Sequence, residues 1–200
     1  MKWTYMAVYA LLLSPVLLFT ACTEDDDIPE AENSEETITN ITLTFTPEGG
    51  GTPVTATWVD ADGEGSGAPV LTDIILAANT TYTMDIDLIN AIDPDNPESI
   101  TEEVEEESDE HMFFFNWTDG IFSDPTGNGN VDNRADQVNY EDPMDDNGYP
   151  VGLETSWTTG DAMTGAFQVI LKHQPDIKSA TSGVADGESD VDVTWGITIQ

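Results

Sequence analysis

The chain has 200 residues, with 40 acidic against 4 basic side chains and a formal net charge of −36. That length suits one domain. Charge of this sign excludes nucleic acid and anionic membrane surfaces as charge-recognised partners, since both reward basic patches, and it favours divalent cations and cationic ligands. Solvation alone also accounts for part of such a surface.

In chain order, Met1-Lys2-Trp3 opens onto an apolar run from Met6 to Phe19 and then Thr20-Ala21-Cys22. A basic start, a short hydrophobic region and a small residue before the cut predict an export signal over 1–21. The run is shorter than the roughly 20 apolar residues of a membrane-spanning helix. Cys22 is the only cysteine, so an internal disulfide is impossible. The stretch LFTAC resembles the bacterial lipobox, which implies lipidation of Cys22 and attachment to a membrane. Phe19 stands where leucine is commonest in that motif. Residues 22–37 read as an acidic, disordered tether. Its start, TEDDD, resembles the surface-export signal of Bacteroidota lipoproteins, which implies the outer face of the outer membrane.

From residue 38 to 200 the pattern is all-β. Period-two alternation marks Thr39 to Thr46, Val54 to Trp58, Val70 to Leu76 and Tyr82 to Leu88. It continues in His111 to Trp117, Leu153 to Thr158, Ala166 to His173 and Val191 to Ile199. About eight strands separated by turn signals predict a single antiparallel β-sandwich. Trp58, Trp117, Trp157 and Trp195 each fall in a different strand and are expected in its core. One short acidic helix is expected before the fifth strand, because Ser99-Ile100-Thr101-Glu102 spells a capping box. Ile100, Val104, Glu107 or Ser108, and His111 then follow at helical spacing.

The candidate chemistry starts from strand parity. His111 shares its face with Phe113, Phe115 and Trp117, and His173 shares its face with Phe167, Val169 and Leu171. If these strands are antiparallel neighbours or face each other, both imidazoles reach one end of the sandwich, where Glu107 can join them with Glu110 or Asp176. Two neutral imidazoles plus carboxylate suit zinc or another transition metal. The spacing matches no short zinc signature. The plain alternative is that His111 caps a strand and His173 sits in a turn before Pro175, with Lys172 and Lys178 offsetting the acidic cluster.

Two loops carry part of a calcium pattern. Asp60, Asp62 and Glu64 occupy alternate positions before Gly65, but the twelfth place is Leu71. Asp145, Asn147, Gly148 and Glu154 are in register in the second loop, with Pro143 where the first aspartate belongs. Asp/Gly/Asn turn chemistry explains both without an ion. The connection from Asp119 to Pro150 is long enough to be functional or mobile. No nucleophile elbow or phosphate-cradling loop is present, the one cysteine is assigned to lipid, and a non-enzymatic role is expected.

The order EEVEEE, EH and an aromatic strand, then DNGYPVGL, LKHQPDIKS and an alternating strand running to Gln200, resembles small acidic lipoproteins of Bacteroidota. Such proteins are often labelled as belonging to the type 1 periplasmic binding fold. That fold needs repeated βαβ units over a longer chain, which this sequence lacks. The resemblance implies a surface or periplasmic lipoprotein, associated with TonB-dependent outer-membrane transport. The functional expectation is an outer-membrane accessory that captures a ligand or metal, its soluble domain monomeric. The alternative is a surface adhesion module whose acidic loops are ordered by calcium.

Overall fold

The computed structural model describes residues 36–63 and 65–200, so Cys22 and Glu64 lie outside the described residues. Among the described residues eleven strands and one helix follow in order: β1 Asn40–Pro47, β2 Val54–Val59, β3 Val70–Leu71, β4 Ile74–Leu76, β5 Thr81–Asn90, β6 Glu98–Ser99, α1 Ile100–Glu106, β7 His111–Trp117, β8 Phe122–Asp124, β9 Glu154–Thr159, β10 Met163–His173 and β11 Glu188–Ile199. One sheet has the order β3-β2-β1-β5-β9-β8 with β6 on the end of β5, and the second has the order β4-β11-β10-β7. The two sheets bury their facing sides on each other, an all-β sandwich.

Alternation sets the inward faces. Ile41, Leu43 and Phe45 of β1 are buried, while the intervening threonines are less so. Opposite them, β10 and β11 contribute Phe167, Val169, Val193 and Trp195 to the same core. The centre is aromatic: Trp157 meets the Phe167 ring edge-on at 5.2 Å and 90°, and the Trp117 ring at 5.1 Å and 87°. Such pairs add about 0.5–1.5 kcal/mol beyond the area they bury. Trp58 departs from expectation. It is only partly buried, because β2 lies next to the edge of its sheet and pairs Trp58 with the exposed Leu71.

The stretch expected as one strand over 70–76 is two, in different sheets. Val70–Leu71 pairs with β2, and Ile74–Leu76 runs parallel to β11. Thr72 makes the crossing: its amide donates to the Thr57 carbonyl at 3.0 Å, and its Oγ1 accepts from the Thr57 amide at 2.8 Å. Beyond it the side chains turn inward, from Val70 at 69% exposure to Ile74 at 0%. Among the described residues the β4–β11 pair is the parallel exception in an otherwise antiparallel architecture. The two-residue β6 and three-residue β8 are too short to show a period in sequence.

β7 has a partner on one side only, yet both of its faces are buried. The long connection after it supplies the cover. Met112 and Phe114 form a second small core with Ile170, against Val131, Tyr140 and Val184. The free backbone edge is satisfied as well. Phe115 donates to Asn130 Oδ1 at 3.0 Å, Phe113 donates to the Val151 carbonyl at 2.7 Å, and Tyr140 Oη donates to the Phe113 carbonyl at 2.8 Å. Covering an exposed strand edge in this way removes a template for aggregation. The loop is held by its own side chains.

Candidate metal centre

The helix begins where the capping box places it: Ser99 accepts from the Glu102 amide at 3.3 Å, and Ile100 and Val104 are buried. It ends at Glu106, and a tight turn through Glu107 and Glu110 delivers the chain to β7. In that turn the amides of Glu110 and His111 both donate to the Glu107 carbonyl, at 2.9 and 3.2 Å. Two contacts from beyond β10 grip the same turn. The Gln174 amide donates to the Glu110 carbonyl at 2.6 Å, and Lys178 Nζ donates to the Ser108 carbonyl at 2.6 Å.

The antiparallel register of β7 and β10 makes His111 and His173 direct cross-strand partners. Their rings stack, with centroids 4.4 Å apart and planes within 7°. They are 0% and 4% exposed. Glu107, His111 and His173 each offer a ligand atom within 4.8 Å of the others, so this group can hold a metal ion. Glu107 brings its carboxylate to 3.9 Å from His111 Nδ1 and stays half-exposed. Glu110 Oε2 lies 3.2 Å from His173 Nε2, which makes Glu110 a partner of the second imidazole.

The hydrogen bonds define which nitrogens are available. A carbonyl can only accept, so His111 Nδ1, 3.2 Å from the Glu107 carbonyl, carries the proton. An ionised carboxylate can only accept, so His173 Nε2 donates to Glu110. The lone pairs are then on His111 Nε2 and His173 Nδ1. A ring nitrogen binds a metal in the plane of its ring, and these planes are nearly parallel. Holding one ion with both therefore requires one imidazole to turn about its Cβ–Cγ bond.

No model of a known protein family matches the chain. No curated protein matches it either.

Electrostatics favour a cation. Burial pushes the His111 pKa down to about 4, and the neighbouring His173 adds to the effect, so this imidazole is neutral at physiological pH. A neutral imidazole is the metal-binding form. Around it the charge is negative. Glu36 is pushed up to about 7, first by burial, then by its hydrogen bond with Glu103 and by the charges of Glu103, Asp190 and Glu107.

Asp190 and Glu36 are the site residues that strand and composition patterns did not single out. Between Leu171 opposite Val191 and Lys172 opposite Ser189 the β10–β11 register shifts, leaving Asp190 as the extra residue of a β-bulge. In an unbroken strand it would share the solvent face of Asp192. The bulge buries its side chain completely, with Oδ2 3.8 Å from His111 Nε2. A bulge commonly re-aims one side chain in this manner. Glu36 falls in the stretch that composition marks as tether, but its amide donates to Asp190 Oδ1 at 3.4 Å and the chain is paired from Thr39 onward.

The calcium candidates are placed differently. Asp145 is buried, its Oδ1 accepting from the amides of Asn147 and Tyr149 at 2.9 and 2.8 Å and its Oδ2 2.9 Å from Lys178 Nζ. The lysine ammonium occupies the place of a counter-ion. Glu154 is exposed on β9, beside a cavity of about 500 Å³ shared with Asp85, Glu105, Glu141 and Asp142. In the first loop Asp62 Oδ2 accepts from the Gly67 amide at 3.0 Å, which helps to hold its carboxyl below the usual range. Both loops use their carboxylates as turn acceptors.

Proposed function

We propose that the chain is a non-enzymatic, metal-binding accessory lipoprotein. In this reading Cys22 carries the lipid, the acidic stretch after it directs the domain to the outer face of the outer membrane, and cargo passes to a TonB-dependent transporter. The observation that carries the metal assignment is the stacked, buried pair His111–His173 beside Glu107. Closing this end of a sandwich needs only two apolar side chains. Burying two imidazoles there instead costs desolvation, which a bound cation offsets. The nitrogen and carboxylate donors suit zinc or another transition metal, whereas calcium takes oxygen ligands.

The test is metal analysis of the full chain purified in detergent, with melting curves in chelator, zinc and calcium. Expected are stoichiometric zinc and a higher Tm in zinc than in chelator, both lost in the His111→Ala/His173→Ala variant. Absence of bound metal together with identical melting curves in chelator and zinc overturns the metal assignment. A Tm that rises in calcium and is insensitive to both histidines supports the adhesion module instead.

A further inference from the structure

Arginine occurs once in the chain, at Arg134, against 40 acidic side chains. Lys172 and Lys178 use their ammonium groups within the domain. Lys172 Nζ donates to the Gly187 carbonyl and to Ser189 Oγ, both at 2.9 Å, and Lys178 Nζ pairs with Asp145. The Arg134 guanidinium has no such partner: among the described residues no carboxylate pairs with it and no hydrogen bond reaches it. Its carbon lies 5.9 Å from the centroid of the Phe114 ring, a cation–π contact. Nε is buried, so part of the cation is out of water with no counter-charge. That burial costs free energy, and an anion seated on the guanidinium offsets it. The buried Nε and the contact with Phe114 hold the planar fork in one orientation, which lowers the ordering cost of binding.

Arg134 lines a groove of about 440 Å³ between the loops 131–135 and 180–186, a volume within the range of small-molecule sites. Val131 and Val184 give it an apolar lining and pack on the small core of Met112, Phe114 and Ile170. Both loops are braced. Asn133 Nδ2 donates to Asp136 Oδ1 at 2.8 Å, and the Gly183 amide donates to Asp186 Oδ2 at 2.9 Å. We infer that this groove binds a small organic monocarboxylate, with its carboxylate on the Arg134 guanidinium and its apolar body over Val131 and Val184. The planar fork of a guanidinium matches the two oxygens of a carboxylate. A single charge suits the setting. A domain this acidic repels anions at long range, and the second charge of sulfate or phosphate would meet Asp132 and Asp186, which also line the groove. The carboxylate can be that of a free acid or the C-terminus of a short peptide, since both present the same group. The groove shares no residue with the histidine pair, so the inference goes beyond the metal assignment and stands apart from it.

Because the chain has a single arginine, a nitrogen-15 arginine label reports on Arg134 alone. The full chain in detergent, kept in chelator so that the metal centre plays no part, is titrated with sodium butyrate and with sodium sulfate at matched ionic strength. A second series uses acetyl-Ala-Ala as the free acid and as the amide. Expected is a saturable shift of the guanidinium resonances with butyrate and with the peptide acid, a weaker one with sulfate and none with the amide. Tighter binding of butyrate identifies a free acid as the ligand, and tighter binding of the peptide acid identifies a chain terminus. By calorimetry, Arg134→Gln should weaken butyrate binding by at least about tenfold, and Arg134→Lys by less, because it keeps the charge without the fork. Ala180→Trp, which puts an indole into the groove and leaves Arg134 in place, should weaken it too. The inference is overturned by the absence of a saturable shift in wild type, or by a sulfate response equal to that of butyrate. Wild-type butyrate affinity in both Arg134→Gln and Ala180→Trp overturns it as well.

Discussion

Replacing Lys178 with methionine removes a buried cation that ties three parts of the domain together. Its Nζ lies 2.9 Å from Asp145 Oδ2 and donates to the Ser108 carbonyl at 2.6 Å, and the two side chains are 1% and 0% exposed. Burial pulls the lysine pKa down, and the Asp145 contact opposes that pull. The variant leaves a buried carboxylate without its counter-charge, a change that costs about 3–5 kcal/mol in comparable pairs. Two amides still solvate Asp145 Oδ1, which places the expected loss near the lower bound, at about 3 kcal/mol. Most of it should return in the double variant Lys178→Met/Asp145→Leu, because no charge is then left buried. Urea denaturation at pH 7 measures all three proteins. A single-variant loss below about 1 kcal/mol, the range of exposed pairs, would refute the argument that this is a buried ion pair. Zinc affinity should fall in the single variant too, since Lys178 braces the turn that presents Glu107, Glu110 and His111.

Three further outcomes are expected. His111 has a folded pKa near 4 against about 6.5 in the unfolded chain, so the unfolded state binds the extra proton; stability should therefore decline as pH falls from about 6.5 to about 4, by about 3 kcal/mol in total. Glu36 acts with the opposite sign between its ordinary carboxylate range and about 7, but it is only part-buried and salt weakens it, so the difference between wild type and His111→Leu in urea melts at several pH values isolates the histidine. Tyr140→Phe removes a hydroxyl that accepts from Asn130 Nδ2 at 2.9 Å and donates to the Phe113 carbonyl at 2.8 Å; a loss of about 1–2 kcal/mol and faster amide exchange at β7 are expected in denaturation and hydrogen-exchange measurements. Gly129→Ala should cost at least about 2 kcal/mol by thermal denaturation, because φ there is +102° and a Cβ would fall 2.0 Å from the Phe115 carbonyl oxygen.

Much of the site was legible in sequence because strand parity is a strict local rule. His111 and His173 each had to face the same way as the apolar residues of their strands, and the Ser99 cap marked where the helix before β7 begins. The sandwich followed from the same alternation. What alternation cannot convey is a break in its own period. Asp190 sits in Ser189-Asp190-Val191-Asp192-Val193, where regular parity assigns it to solvent, and only the mismatch in length between β10 and β11 turns it inward. The division of Val70–Leu76 between two sheets is of the same type, since apolar character says that a segment is buried but not against which sheet.

The sequence by itself determined the all-β class, the side on which each histidine emerges and the strongly negative setting, all of which follow from residue type and short-range period. Tertiary structure alone decided that the two imidazoles stack, that Asp145 is matched by a lysine, and that Asp190 and Glu36 come to the metal site. The reason is physical: those features depend on strand register and on contacts between residues as far as 154 positions apart, and the energy that selects one register is summed over the whole core.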